Sequence, residues 1–178
     1  MKAYIFLANG FEEMEVTYPI SILRTAGIEI ESVSIEGTKS LVGSHGVNII
    51  TDSLFTDKEF KDADMIILPG GQPGTDKLDS FIQLKDLITY YSKNKSIAAI
   101  CAAPSILGKM GVLSGKEAIC YPGYEYLLDG AVISGSKVVT DGNIITAAGP
   151  GVAKEFAIEI VRLIGTDAEY NKVCQMFK

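Results

Sequence analysis

Short apolar runs without polar alternation recur along this chain, and each gives way to a stretch with helical spacing. Ala3–Ala8, Met65–Leu68 and Ser96–Ile100 are such runs, and Ile28–Ile35 is a further strand. A strand with one wet face alternates apolar and polar residues; a continuous apolar run is buried on both faces, as in a parallel sheet covered by helices. The intervening segments carry the period of a helix. Val16, Ile20 and Leu23 fall on one face after Glu12-Glu13-Met14-Glu15, with Gly27 as the stop and Pro19 interrupting the early turns. Leu78, Phe81, Leu84, Ile88 and Tyr91 define one following helix. Pro104 opens another, Val152, Phe156, Ile160 and Leu163 face inward on a third, and about 168 to 177 forms a last one.

Two shorter features complete the expectation. Leu41-Val42 and Val47–Ile50 flank Ser44-His45-Gly46 as short irregular strands, and Val138–Ile145 is a small β-hairpin turning at Asp141-Gly142. Repeated strand–helix–strand units with short connections predict an α/β three-layer sandwich, a mostly parallel sheet with helices on both faces. No linker or repeat divides the 178 residues, so residues 1–178 are expected to form a single domain.

Composition excludes some partners. Twenty-two acidic against 16 basic residues give a net charge of −6, which favours neither nucleic acid nor an anionic membrane. The apolar start stops at Asn9-Gly10, too short for a secretory leader, and no run reaches the length of a membrane-spanning helix. Three cysteines, Cys101, Cys120 and Cys174, cannot all pair and form no C-x-x-C, so a reducing, cytoplasmic setting is expected. With one histidine and scattered cysteines there is no expected metal site, and the serines lack the G-x-S-x-G context of a serine hydrolase.

In an open parallel sheet the site lies outside the carboxyl ends of the strands. That directs attention to Asn9–Glu15, Pro69–Gly74, Cys101–Pro104 and Ala148–Gly151. Cys101 stands where a buried strand meets a helix N-terminus, and unpaired amides there favour a thiolate, a nucleophile with lowered pKa. The same position suits an inert core thiol. Glu15 is its candidate partner, since a protonated carboxyl donates to sulfur whereas an ionised one repels it. Glu12 and Glu13 read as helix caps. Gly70-Gly71 offers backbone amides for an oxyanion jointly with Ala102, although most glycine turns only reverse the chain. Gly70, Gly71 and Gly74 do not have dinucleotide-binding spacing. His45 reads as an exposed turn residue, or as the only internal partner for a cysteine–histidine pair.

The motifs Glu12-Glu13-Met14-Glu15, Leu68-Pro69-Gly70-Gly71, Ala98–Pro104 around Cys101, and Gly149-Pro150-Gly151 occur in one order over nearly the whole chain. Together they resemble the ThiJ/PfpI superfamily, in the branch of the parkinsonism-associated protein deglycase (DJ-one). The resemblance implies a flavodoxin-like sandwich, usually a homodimer. It implies Cys101 as nucleophile, Glu15 as the protonated carboxyl beside it, and Gly71 and Ala102 as oxyanion amides. Gly70, Gln72, Tyr121, Gly149, Pro150 and His45 would surround the substrate, a small carbonyl compound or a glycated protein. Relatives of this kind are described as cofactor-independent glyoxalases, deglycases, thiol redox sensors and chaperones. Two positions depart from the pattern: Ala102 follows the cysteine where protease-like branches have histidine, and Tyr121 precedes Pro122 where a histidine is common. The first disfavours a cysteine protease or amidohydrolase; the second replaces a base with a phenol, a poor base at neutral pH.

Overall fold

The computed structural model describes residues 1–177. Its strands are β1 (Lys2–Leu7), β2 (Glu29–Ser34), β3 (Ser40–Val42), β4 (Asn48–Ile50), β5 (Ser53–Leu54), β6 (Met65–Leu68), β7 (Ser96–Ile100), β8 (Glu117–Ala118), β9 (Val132–Ile133), β10 (Val138–Asp141) and β11 (Ile144–Ala147). The helices are α1 (Glu13–Ala26), α2 (Gly74–Ser80), α3 (Ile82–Asn94), α4 (Pro104–Lys109), α5 (Ala153–Ile164) and α6 (Asp167–Met176). Seven strands form one sheet in the order β10-β11-β7-β6-β1-β2-β5, parallel except for the antiparallel β10–β11 pair. The chain steps from β1 to β2 in one direction and later to β6 on the other side of β1. This reversal opens a crevice at the carboxyl ends of β1 and β6.

Burial on both faces explains the apolar runs. Along β1, Ala3, Ile5 and Leu7 enter the core beneath α1 and α5, with Val16, Leu23, Phe156 and Ile160. The alternate residues Tyr4 and Phe6 enter the opposite core with Ile66, Leu68, Leu84, Ile88 and Tyr91. Each fully buried Leu, Ile or Phe contributes about 1.5–3 kcal/mol relative to exposure, so both layers, not one, hold the sheet.

Several local expectations shift. The helix expected over Leu78–Tyr91 is two helices, broken at Phe81, whose ψ of 99° is extended. Its ring packs edge-on against Phe55 with centroids 4.9 Å apart. The Ser80 hydroxyl turns back onto the Asp76 and Lys77 carbonyls and closes α2. Pro19 does not interrupt α1, which runs through it; the proline removes only the amide that would serve the Glu15 carbonyl. In α5 the buried face is Phe156, Ala157, Ile160, Val161 and Ile164, while Leu163 and Val152 are half-buried. The hairpin turns at Gly142-Asn143, one residue later than expected, because Asp141 still pairs with Ile144. β3 and β4 form an antiparallel hairpin apart from the main sheet, and β8–β9 make a separate parallel pair.

Candidate active site

Cys101 follows β7 without a spacer. Its φ of 65° makes it the one residue other than glycine with positive φ among the described residues. A side chain in that region is strained by about 1 kcal/mol or more and persists only where the surroundings impose it. The Cys101 amide donates to the Ala147 carbonyl at 2.9 Å, and its own carbonyl accepts from the Tyr121 amide at 2.8 Å. Ala102 and Ala103, both buried, permit the tight bend, and the Ala103 amide donates to Ile100 at 3.1 Å. The amides of Ala102 and Gly71 approach the sulfur itself.

Glu15 reaches the same point from α1. It is fully buried, and its Oε2 accepts from the Gly70 amide at 2.7 Å. Oε1 is sealed from solvent without a conventional partner; the Cys101 thiol is the polar group beside the carboxyl. Glu12 is the N-cap residue of α1, its Oε2 accepting from the Glu15 amide at 2.8 Å, which fixes where Glu15 starts. Gly70 has no room for a side chain: a Cβ there would stand 2.6 Å from Cys101 Cβ and 2.8 Å from Glu15 Oε2.

The protonation pattern corrects the expectation of a simply depressed thiol. Burial, helped by the Glu12 charge and opposed by the Gly70 amide, raises the Glu15 carboxyl to about 7. Burial first, and then the charge of Glu15, push Cys101 up to about 12, against smaller lowering by the Ala102 and Gly71 amides. The helix dipole does not reverse this, because α4 is only six residues long and starts three residues beyond Cys101. Two anions in contact do not coexist here. A thiolate therefore exists as the arrangement in which Glu15 holds the proton, so the pair shares one negative charge.

Beside the sulfur lies a cleft of about 290 Å³ lined by Tyr121, Lys137, Ala148, Gly149, Pro150, Gly151 and Val152. A Cβ on Gly149 would stand 3.1 Å from the Tyr121 ring and 3.9 Å from Cys101 Sγ, so this wall of the cleft lies against the sulfur and has no room for a side chain. Tyr121 is 46% exposed. The structure thus brings together Cys101, Glu15, Gly70, Gly71, Ala102, Tyr121, Gly149 and Pro150.

Two expected site residues lie elsewhere. Gln72 is exposed, donates to Asp76 Oδ1 at 3.3 Å, and borders a different cavity with Ser105, Lys109 and Tyr124, because the chain turns into α2 immediately after it. His45 is bound by Glu13, not Cys101: its Nδ1 and its amide each lie 2.7 Å from a Glu13 oxygen. Glu13 is consequently an anchor for the β3–β4 turn rather than a cap; despite the opposing pull of burial, these bonds lower it to about 2. Ligand atoms of Glu12, Glu13 and His45 come within 4.8 Å of one another, but the Glu13 oxygens, the His45 ring and Glu12 Oε2 are already hydrogen-bonded. Cys120 is 1% exposed, and burial raises it to about 11, which suits a structural thiol. Sequence reasoning missed Lys137. Extending the Val138–Ala147 register by one pair places it opposite Ala148, whose amide donates to its carbonyl at 2.9 Å.

The fold and elbow define an α/β protein with a strained cysteine at the carboxyl edge of a parallel sheet, beside a buried acid. The chain belongs to the DJ-1/PfpI family, whose pattern matches residues 1–163. It is 35% identical over 177 residues to Protein dj-1beta of Drosophila melanogaster, covering 98% of this chain and 95% of that one. It is 32% identical to Deglycase PH1704 of Pyrococcus horikoshii, covering 92% and 99% of the two chains. Among solved structures, oxidized DJ-1 of Toxoplasma gondii superposes with a TM-score of 0.93 at 30% identity, over 99% of this chain and 97% of that one. No helix among the described residues is long and apolar enough to cross a membrane.

Proposed function

We propose that the protein is a cysteine-dependent enzyme that converts small α-oxoaldehydes to 2-hydroxy acids, and that acts on the same carbonyls in early protein adducts. The observation that carries this reading is the contact of Cys101 with a buried carboxyl of near-neutral pKa at a strained bend. Sulfur attacks the aldehyde carbon, the carbonyl π pair moves to oxygen, and Glu15 gives that oxygen its proton, forming a hemithioacetal. The Glu15 carboxylate then removes the C–H proton, the electron pair passing to the neighbouring carbonyl oxygen as an enediolate; that oxygen takes the hydroxyl proton of the first carbon, and Glu15 returns its proton to the adjacent carbon. The resulting thioester is hydrolysed, so one water is consumed and the oxidation of one carbon balances the reduction of the next. The Gly71 and Ala102 amides support the anion, and Tyr121 contributes a hydroxyl where a base would otherwise stand. No metal, nucleotide or added thiol enters these steps. The test is lactate formation from methylglyoxal: Cys101→Ser is expected to abolish it, and wild type no faster than that variant rejects the reading.

A second reading, a thiol oxidation sensor, is favoured by one observation: Cys101 is partly open while Cys120 is sealed. Peroxide would take the Cys101 thiolate to sulfenic and then sulfinic acid. Mass spectrometry after mild peroxide is expected to find sulfinate at Cys101; oxidation at Cys120 or Cys174 with Cys101 intact removes this reading. An amidohydrolase is disfavoured because His45 is held by Glu13. We further read the chain as a cytoplasmic homodimer. Met14, Tyr18, Val47 and Ile50, exposed on α1 and around β4, offer the apolar surface, and a monomeric mass in light scattering would remove that proposal.

A further inference from the structure

The cleft beside Cys101 is built almost entirely of apolar and backbone groups. Tyr121, Ala148, Gly149, Pro150, Gly151 and Val152 supply its walls, and Lys137 is its one charged side chain. Lys137 is exposed, and among the described residues no carboxylate lies within 4.0 Å of its ammonium group. Lys116, just before β8, shows the contrast: its ammonium lies 3.5 Å from Asp141 on the same hairpin. The Lys137 backbone is fixed, because its carbonyl accepts from Ala148, so the base of the side chain is held at the rim while the ammonium group remains free. Gly149, in the wall of the same cleft, adjoins the sulfur: a Cβ there would stand 3.9 Å from Cys101 Sγ.

An unpaired cation at the mouth of an apolar cleft selects for charge on the far end of whatever reaches the nucleophile. This counts for more here because the molecule carries −6 overall and the Cys101–Glu15 pair behind Gly149 adds a shared negative charge. Within this cleft, the one charged wall residue that an anionic substrate meets is Lys137. Resting on the α-oxoaldehyde reading above, we propose that Lys137 is a specificity-determining residue and that the preferred substrates are α-oxoaldehydes bearing a carboxylate a few bonds from the reacting carbonyls. The ammonium group takes the carboxylate, the apolar walls take the methylene spacer, and the aldehyde carbon is presented to Sγ beside Gly149.

The chemistry fixes a direct test with the full chain. 4,5-Dioxopentanoate is an α-oxoaldehyde with a terminal carboxylate, and the same internal oxidation and reduction with one water converts it to 2-hydroxyglutarate. Its methyl ester has the same chain without the charge. Wild type is expected to show a higher kcat/KM for the acid than for the ester, the difference lying in KM and shrinking as salt is raised. Lys137→Met is expected to lower the acid-to-ester ratio of kcat/KM about tenfold, equivalent to about 1.4 kcal/mol, and Lys137→Arg to restore most of it. Because the readout is a ratio between two substrates in one variant, a general loss of activity does not alter it. Turnover of methylglyoxal and of the ester, with a ratio near one in wild type and unmoved in Lys137→Met, overturns this inference alone. Failure of wild type to turn over any of the three removes the underlying reading and the inference with it.

Discussion

Replacing Glu15 by glutamine tests the central electrostatic statement without reference to any substrate. Glutamine keeps the volume and an oxygen for the Gly70 amide, which donates to Oε2 at 2.7 Å in wild type, but it cannot ionise. In the native state the carboxyl titrates at about 7 against an ordinary value of 4.5, chiefly because it is buried. At about 1.4 kcal/mol for each tenfold change in proton affinity, that elevation corresponds to about 3 kcal/mol. Between these two pH values the folded protein binds more protons than the unfolded chain, so stability falls as pH rises. The contribution is fully present below 4.5 and lost as pH passes through about 7. Urea unfolding of both proteins from pH 4.5 to 8 isolates it: the stability of Glu15→Gln minus that of wild type should climb by about 3 kcal/mol across the range. A flat difference would show that the native carboxyl titrates normally, and the shared-proton description of Cys101 would fail with it.

Other consequences are narrower. Gly70→Ala places a methyl group against Cys101 and the Glu15 carboxyl; it should cost about 1–3 kcal/mol by overpacking and suppress Cys101 alkylation, whereas unchanged melting and alkylation would show that the bend has slack. Glu13→Ala leaves the His45 and Val47 amides without their acceptor. Amide exchange over Ser44–Val47 should accelerate there while β6 and β7 remain protected, and uniform acceleration would mean that the anchor serves the whole fold. Alkylation of wild-type Cys101 should be half-maximal near pH 7, where the pair first loses a proton. In Glu15→Leu the buried thiol keeps its burial cost without a proton acceptor, so the midpoint should move above 9, and a midpoint that stays in place rejects the pairing.

The layers and the site's location were readable because they depend on patterns repeated over many residues. Continuous apolar runs mark β1, β6 and β7, and the rule that sites gather at strand carboxyl ends brings Glu15, Gly70 and Cys101 together from the sequence alone. What was not readable depends on single tertiary contacts. Nothing in the period of Leu78–Tyr91 announces that Phe81 leaves the helix to meet Phe55. β8 and β9, two residues each, are too short to show alternation. Gln72 and His45 adjoin site motifs in sequence, yet the start of α2 and the Glu13 anchor turn them elsewhere. The direction of the Cys101 shift is not legible in the sequence, which shows the helix terminus at the elbow but not that burial and a neighbouring acid outweigh a six-residue helix.

That last result bears on why the bend is strained at all. Glycine would occupy a φ of 65° without penalty, so the cost of a side chain there is tolerated for the sulfur's position. Relaxing Cys101 into an ordinary helical or extended conformation would redirect Cα–Cβ away from the Glu15 carboxyl and the Ala102 and Gly71 amides. A low pKa could have been obtained more simply, by a longer helix or a nearby cation, but it would yield a thiolate with no proton at hand. The bend instead couples the sulfur to an acid whose proton affinity is matched to neutral pH, so ionising the thiol and protonating the carboxyl are one event. For carbonyl addition, in which sulfur attacks as oxygen is protonated, that coupling is worth more than thiolate abundance alone.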